Sequence, residues 1–470
     1  MNEIKIEKKS KKKYETSLRT RIGYAFGTLS DNLALQNFLF LGFSFYFTVA
    51  GLNVWLVSAG FIIYSIWDAI DDPLIGVISD RTRTKWGRRK PWIFIATIPL
   101  CLLMIFIWMP PMGNDILTFA YYVIILIIFD LVFTTYTVNF NALWPEMFLT
   151  DEDRSSVGVW RSIFTIIGLV FAFLLPEVFI EDIPNRYDYP YTPGQFVLNG
   201  VVAAIIVGIC VLVMLKFGCF ERKEFSKDVD GAPKWKESYR VTFKNKAFMI
   251  YCVIALGVFI VYGILPIIMP LYGEYVLNMS DPGLILLVGL LISAVSTPLW
   301  MHLRYKYGVR KSYMISLVFW GISLLLFILA FDEITGYILV ILVGFGVGGS
   351  IYLYDQGLAE VIDDDEIRSG LNVRREGAYY GVVALFNRLS GAINLLIIAF
   401  VFSGTGWGDY TPNPGVNVQL GLRFLVGVWP VIIIIIALIF LYLWPLHGKR
   451  LEENKKMLTE LHAEKKEKTS

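Results

Sequence analysis

The sequence predicts an all-α polytopic membrane protein of twelve transmembrane helices, built as two pseudo-symmetric six-helix bundles. Three observations lead to it. The 470 residues are 56 % hydrophobic and only 17 % charged, too little charge to coat a soluble protein of that length. Twelve apolar runs occur, each of roughly 20 residues or more, enough to cross a hydrocarbon core of about 30 Å. Of the 42 lysines and arginines, 37 fall in the tails and in alternate connections, all on one side of the membrane.

Taken in order, residues 1–22 form a Lys-rich arm with no short apolar stretch leading to a cleavage site, so a cytosolic tail is expected and not a signal peptide. The first bundle spans 23–217, with helices expected at about 23–49, 54–79, 91–109, 116–145, 157–180 and 195–217. Residues 218–246 are the most polar internal segment and read as a cytosolic linker. The second bundle spans 247–446, with helices at about 247–270, 282–302, 312–331, 336–359, 377–403 and 419–446, followed by a cytosolic tail at 447–470. The basic connections put both termini in the cytoplasm by the positive-inside rule, which predicts a multi-pass protein of the cytoplasmic membrane. The net charge of +2 is uninformative beside this distribution. Cys101, Cys210, Cys219 and Cys252 show no CxxC or Cys/His spacing, so free packing thiols are expected, with no redox or metal centre. No nucleophile, phosphate loop or metal motif suggests an enzyme, and cytosolic charge runs of this kind carry no nucleic-acid role.

The stretch Ile66–Trp92, IWDAIDDPLIGVISDRTRTKWGRRKPW, concentrates the chemistry. Asp68 and Asp72 share a helix face and Asp71 sits beside them. Carboxylates within a bilayer are costly and usually functional. Three so close cannot all remain ionised without a cation or protons between them, which makes the cluster a candidate ion site. On the fourth span Thr134, Thr137 and Asn141 recur at i, i+3 and i+7, a polar stripe on an otherwise apolar helix. Asp130 and Asp355 read equally as ligands or as partners between helices. Glu177, Glu274 and Arg423, near span ends, are expected to snorkel to water. For Tyr352 and Tyr354, packing is the plainer reading and stacking on a ligand ring the sharper one.

Several of these motifs together resemble the glycoside-pentoside-hexuronide:cation symporters, the melibiose-permease-like branch of the major facilitator superfamily. The resemblance rests on YAFG (Tyr24 to Gly27) through Asp31, IWDAIDDP (Ile66 to Pro73), SDRTRTKWGRRKPW (Ser79 to Trp92), ALWPE (Ala142 to Glu146) with Arg154 and Arg161, and EVIDDDEIRSGLNVRREGAYYG (Glu360 to Gly381). It implies a cation-coupled symporter that works by alternating access around a site near mid-membrane. Its coupling ion would be Na+, H+ or Li+, its substrate a sugar or glycoside, and its active form a monomer in the lipid bilayer. No further cofactor or metal is implied.

By the same resemblance the cation lies at Asp68 and Asp72 with the Thr134 hydroxyl nearby. Asp71 stands where the family commonly has Asn and makes the cluster more acidic. The substrate would meet Asp31 and Arg161, with Arg388 at the family's balancing lysine. Asp31 and Arg161 could also form an ion pair that only locks two helices, though a shared polar ligand is the favoured reading. The pattern also departs: Thr137 replaces an aspartate used on galactosides, and Asn141 and Ile351 replace stacking tryptophans. Thr137, Asn139 and Asn141 would still offer neutral hydrogen bonds, favouring another sugar or an anionic one held by Arg161. A relative of the family carries lysolipids, so a lipid or other organic solute stays open. Gly76, Asp80, Arg81, Gly87, Arg88 and Arg89 match the superfamily loop motif that braces helices at the inner face through charge pairs and helix ends. Asp363 to Glu366 and Arg374 to Glu376 are expected to do the same in the second half.

Overall fold

The computed structural model describes residues 16–148, 151–180, 194–220, 245–279, 281–368, 376–454, 456–458 and 460. The N-terminal arm, most of the linker, the end of the C-terminal tail, and the expected brace at Arg374 and Arg375 lie outside the described residues. Two compact units partition the chain, Met1–Ala232 with Trp407–Asn413, and Pro233–Gly406 with Pro414–Ser470.

In the first unit six helices follow the apolar runs: α1 Leu18–Ser44, α2 Val54–Arg81, α3 Lys90–Phe106, α4 Asp115–Met147, α5 Asp151–Phe179 and α6 Gly194–Val213. π-helical turns, Phe45–Val49 and Met214–Gly218, extend α1 and α6. Side-chain caps fix the starts: Ser17 accepts from Thr20 N–H, Asn53 from Trp55, and Asn114 from Ile116 and Leu117, meeting donors that a helix N-terminus leaves open. Helix α1 packs on α5 and α6, α2 on α4, and α3 on α4 and α6. Two buried tyrosines staple α1 to α4, Tyr24 donating to the Phe140 carbonyl at 2.8 Å and Tyr136 to that of Gly27 at 2.9 Å. The segment Trp407–Asn413 clusters with this unit, where Val54 N–H donates to Gly408 O at 2.9 Å and Asn53 to Asp409 at 2.8 Å.

The second unit has α7 Lys246–Tyr272, then a run Pro282–Phe327 that departs from helical geometry only at Gly308 (φ 79°, ψ 168°). A positive φ is comfortable for glycine alone, so the run reads as α8 (282–307) and α9 (309–327), where the sequence led us to expect a nine-residue connection. Then follow α10 Glu333–Arg368, α11 Glu376–Gly404 and α12 Val416–Leu443. Helix α10 passes through the acidic run Glu360 to Glu366, which hydropathy assigned to a loop. Hydropathy reports where lipid stops, and Glu and Arg remain good helix formers beyond it. Only nine stretches of the described residues are long and apolar enough to count as spans by themselves. The other three arise because α1 carries polar side chains, α3 is short, and α8 and α9 run together.

Helix α10 reaches its neighbours through glycines. A Cβ on Gly348 would collide with the Ser293 carbonyl of α8, and one on Gly346 with Trp320 of α9, the close approach that small residues permit between membrane helices. Gly348→Ala is therefore expected to cost about 1–3 kcal/mol through overpacking, seen as a lower thermal midpoint in detergent; an unchanged midpoint would mean the helices part freely. Arg423 does not snorkel: it donates to the carbonyls of Ile328 and, at 2.7 Å, Ala330, closing the C-terminal end of α9. Arg310 does the same for α12 at Leu441 and Tyr442. Glu274 is buried and does not reach water. All four cysteines are free thiols.

Candidate functional site

The three α2 carboxylates converge. Ligand oxygens of Asp68, Asp71 and Asp72 lie within 4.8 Å of one another, with Asp71 wholly buried between its two half-buried neighbours. Such a cluster suits a cation with oxygen ligands, because like charges at this spacing repel strongly when buried. The register of α2 against α4 supplies the surroundings. Gly60 faces Tyr122 and Gly76 faces Val138, so the helices run side by side in the same direction with a constant offset. On that offset Asp72 is level with Thr134 and Asp68 with Asp130. Both α4 residues are buried, and at about 100° per residue both fall on the stripe of α4 that meets α2. Asp130 thus lies level with the carboxylate cluster, a placement that pairing each α2 position with the α4 position at the same offset would have found.

Around α1 and α5 the arrangement is more open. Arg161 Nε donates to Thr28 Oγ1 at 3.3 Å and Nη2 to Asn141 Oδ1 at 3.3 Å. Its guanidinium lies over the Trp144 ring at 4.7 Å and the Phe140 ring at 5.9 Å. Asp31, on α1, feels the Arg161 charge but forms no ion pair with it among the described residues. The two charges therefore do not lock α1 to α5, and both retain capacity for a polar ligand. Trp144, which the sequence shows only as part of the ALWPE motif, is the ring beneath the Arg161 guanidinium. Thr137 lies half-buried on the same stripe as Asn141. Asn139 does not join them: at about 100° per residue it occupies the opposite side of α4. There it is fully buried, with its amide donating to the Thr135 carbonyl at 2.8 Å.

Arg388 lies half-buried on α11 in the second unit. The bracing loop is only partly as expected. Arg88 and Arg89 both pair with Glu146 Oε1, at 2.5 and 3.1 Å, tying the α2–α3 connection to the end of α4. Gly87 takes φ 110° in a tight turn closed on Thr84, and Gly76 contacts Val138. Arg81 is exposed and makes no hydrogen bond or ion pair among the described residues, and the side chain of Asp80 lies outside them. Glu146 is the partner that makes this a brace. Glu146→Ala leaves two guanidinium groups without their shared carboxylate and is expected to cost about 1–3 kcal/mol, measured as a lower thermal midpoint; an unaltered midpoint would make the contact a solvated surface pair. In the second unit Asp364 takes a bidentate bond from Arg450, with Nη2 at 2.8 Å, and another from Asn454 at 2.7 Å, fastening the segment that carries Arg450 and Asn454 to α10.

The sequence matches the family described as MFS/sugar transport protein over residues 23–448. It is 23 % identical to sodium-dependent lysophosphatidylcholine symporter 1-A of Danio rerio, covering 97 % of this chain and 91 % of that one. It is also 23 % identical to a glucuronide carrier protein homolog of Escherichia coli, covering 93 % and 95 %. Among solved structures, a bacterial homolog of the human lysosomal transporter Spinster superposes with a TM-score of 0.68 at 11 % identity, covering 95 % of this chain and 99 % of the other. The nucleoside transporter NupG superposes with 0.67 at 12 %, covering 90 % and 99 %. At these identities the structures speak for the fold alone.

Proposed function

The chain belongs to the MFS/sugar transport protein family, and from that premise we propose that it is a cation-coupled symporter importing a sugar, a glycoside or a related sugar derivative. It is a multi-pass membrane transporter and not an enzyme. The cation occupies the cluster of Asp68, Asp71 and Asp72, with Thr134 and Asp130 on the facing stripe of α4, and Na+, Li+ or H+ would each suit these oxygens. The substrate is held in the first unit by Asp31, Arg161 and Asn141, with Trp144 beneath the guanidinium. Both termini lie in the cytoplasm, and the active form is a monomer in the cell membrane.

The observation that carries this reading is the convergence of the three α2 carboxylates to within 4.8 Å. Their mutual repulsion falls when a cation binds, so cation binding is favourable in itself and changes the field at the neighbouring substrate groups. A lysolipid substrate is the second reading, favoured by the relative from Danio rerio, whose identity equals that of the glucuronide carrier homolog. Overall similarity therefore does not decide between them.

A thermal-shift screen does. Methyl glycosides, glucuronides and lysophosphatidylcholine are tested with and without sodium at two pH values. A ligand at about 100 times its Kd adds roughly 2.7 kcal/mol of stability, and the proposal expects a sugar derivative to give that shift more strongly when the coupling ion is present. Stabilisation by lysophosphatidylcholine alone would favour the second reading.

A further inference from the structure

In the second unit α9 and α12 run antiparallel in a fixed register. A Cβ on Gly321 would meet Ile434 at 3.5 Å, one on Gly427 would collide with Ile328, and Arg310 Nε donates to the Leu441 carbonyl at 3.0 Å. Ile315 and Ile322 on α9 are exposed, as are Ile435 and Ile439 on α12. At about 100° per residue, each pair lies roughly 100–140° round from the line of contact, in the direction of rising residue number. In antiparallel helices those two rotations lead to the same side of the seam. The four isoleucines therefore form one apolar strip, which lipid tails would cover in a bilayer.

The strip ends in charge. Residues 312–331 and 424–441 contain no Asp, Glu, Lys, Arg or His, whereas Arg310 and Lys311 stand where α9 begins, beside Tyr442 at the end of α12. The Arg310 guanidinium lies over the Tyr442 ring at 5.5 Å and gives two of its five donors to the Leu441 and Tyr442 carbonyls, which leaves three. Lys311 is exposed, and neither cation meets a carboxylate among the described residues. The Arg310 charge is felt instead by a base: partial desolvation, and then that charge, hold the His447 imidazole below its ordinary range. We propose that this seam binds a phospholipid with an anionic headgroup, its phosphate held by Arg310 and Lys311 and its acyl chains laid along the isoleucine strip. On the orientation given above, the lipid belongs to the cytoplasmic leaflet. It is a resident partner and not cargo, so the proposal holds whatever substrate is carried.

Charge selects the headgroup. Two adjacent cations without a carboxylate favour an anion, and the positive N-terminal end of α9 adds to their field. A zwitterionic headgroup would bring a further cation to the same place. The planar guanidinium suits a phosphate, which it can meet with two parallel hydrogen bonds, and basic positions between helices at a cytoplasmic face favour such headgroups. Length selects the tails. From Arg310 to Ile322 the helix rises about 18 Å, close to the roughly 15 Å of hydrocarbon in one leaflet. A soluble phosphate would leave that strip unused.

Native mass spectrometry of the full-length protein tests this by counting the lipids retained from an equal mixture of dioleoyl phosphatidylglycerol and dioleoyl phosphatidylcholine. In a separate titration sn-glycerol 3-phosphate serves as a headgroup without chains. Wild type should retain one phosphatidylglycerol in preference to phosphatidylcholine. Lys311→Gln should weaken that binding about fivefold, the effect of one basic residue at a membrane surface, and the Arg310→Gln, Lys311→Gln double variant should lose the preference. Lys85→Gln, which removes an exposed cation from the α2–α3 connection, should leave it unchanged. Arg310 also closes α12, so lipid-free thermal midpoints identify a misfolded variant; Lys311→Gln removes no described hydrogen bond and decides the question if the double variant misfolds. Equal retention of phosphatidylglycerol by wild type and Lys311→Gln, or an equal loss in Lys85→Gln, would overturn the site. Equal retention of the two lipids by wild type would overturn the ligand class, and saturable binding of glycerol phosphate would overturn it in favour of a soluble phosphate ester.

Discussion

Replacing Asp68 or Asp72 by cysteine brings the internal concentration of substrate down to the external one, while exchange of labelled for unlabelled substrate continues. The expected effect is large because accumulation derives wholly from the ion. One charge moved through 100 mV is worth about 2.3 kcal/mol, and a tenfold ion gradient adds about 1.4 kcal/mol. Together they sustain roughly 500-fold accumulation at one ion per substrate. Without the carboxylate the carrier still rocks with substrate, but nothing ties that motion to the ion. Asp130→Asn tests the register argument on the same scale: as part of the cation's surroundings it should shift the ion concentration that half-activates uptake, whereas a residue that only packs would alter stability and leave that midpoint alone. Full accumulation by both single cysteine variants would remove the ion from α2.

Arg161→Ala should weaken substrate binding by roughly 10- to 150-fold, the range expected when charge-assisted hydrogen bonds worth about 1.5–3 kcal/mol are lost. The expected loss assumes that a ligand takes the guanidinium's remaining hydrogen-bonding capacity. Its two protein bonds are both long, at 3.3 Å, to neutral oxygens, and it makes no ion pair with Asp31. Arg161→Lys should recover part of the affinity, since an ammonium keeps the charge and loses the planar fork that lies over Trp144. Equilibrium binding in membranes distinguishes the cases: unchanged affinity in Arg161→Ala would make this group a bridge between helices.

The helical membrane fold and the clustering of the α2 carboxylates were legible in the sequence because each depends on short-range pattern. Hydropathy reads lipid contact directly, and residues four apart on a helix share a face wherever the helix goes. What escaped depends on register between helices. Asp130 read equally as a ligand or as a partner between helices until Gly60 and Gly76 set the register of α2 against α4. Asn139 looked equivalent to Thr137 and Asn141 because all three are polar and close in sequence, yet helical phase puts it on the far side of α4. Arg423 was expected at water because its distance along the helix was known and the direction of its side chain was not; the open carbonyls of α9 supplied a nearer partner. Glu146 was read as part of a motif, and only the fold shows it shared by Arg88 and Arg89.

The most direct test is cation binding to the substrate-free protein. Isothermal titration of wild type in nanodiscs with Na+ and Li+, together with a measurement of protons taken up or released, should reveal saturable occupancy of one site by at least one of these ions. The Asp68→Asn, Asp72→Asn double variant should retain its ligand-free thermal midpoint and lose that occupancy. Equal binding of the same ion by wild type and the double variant would contradict the assignment of the coupling site to the α2 carboxylates.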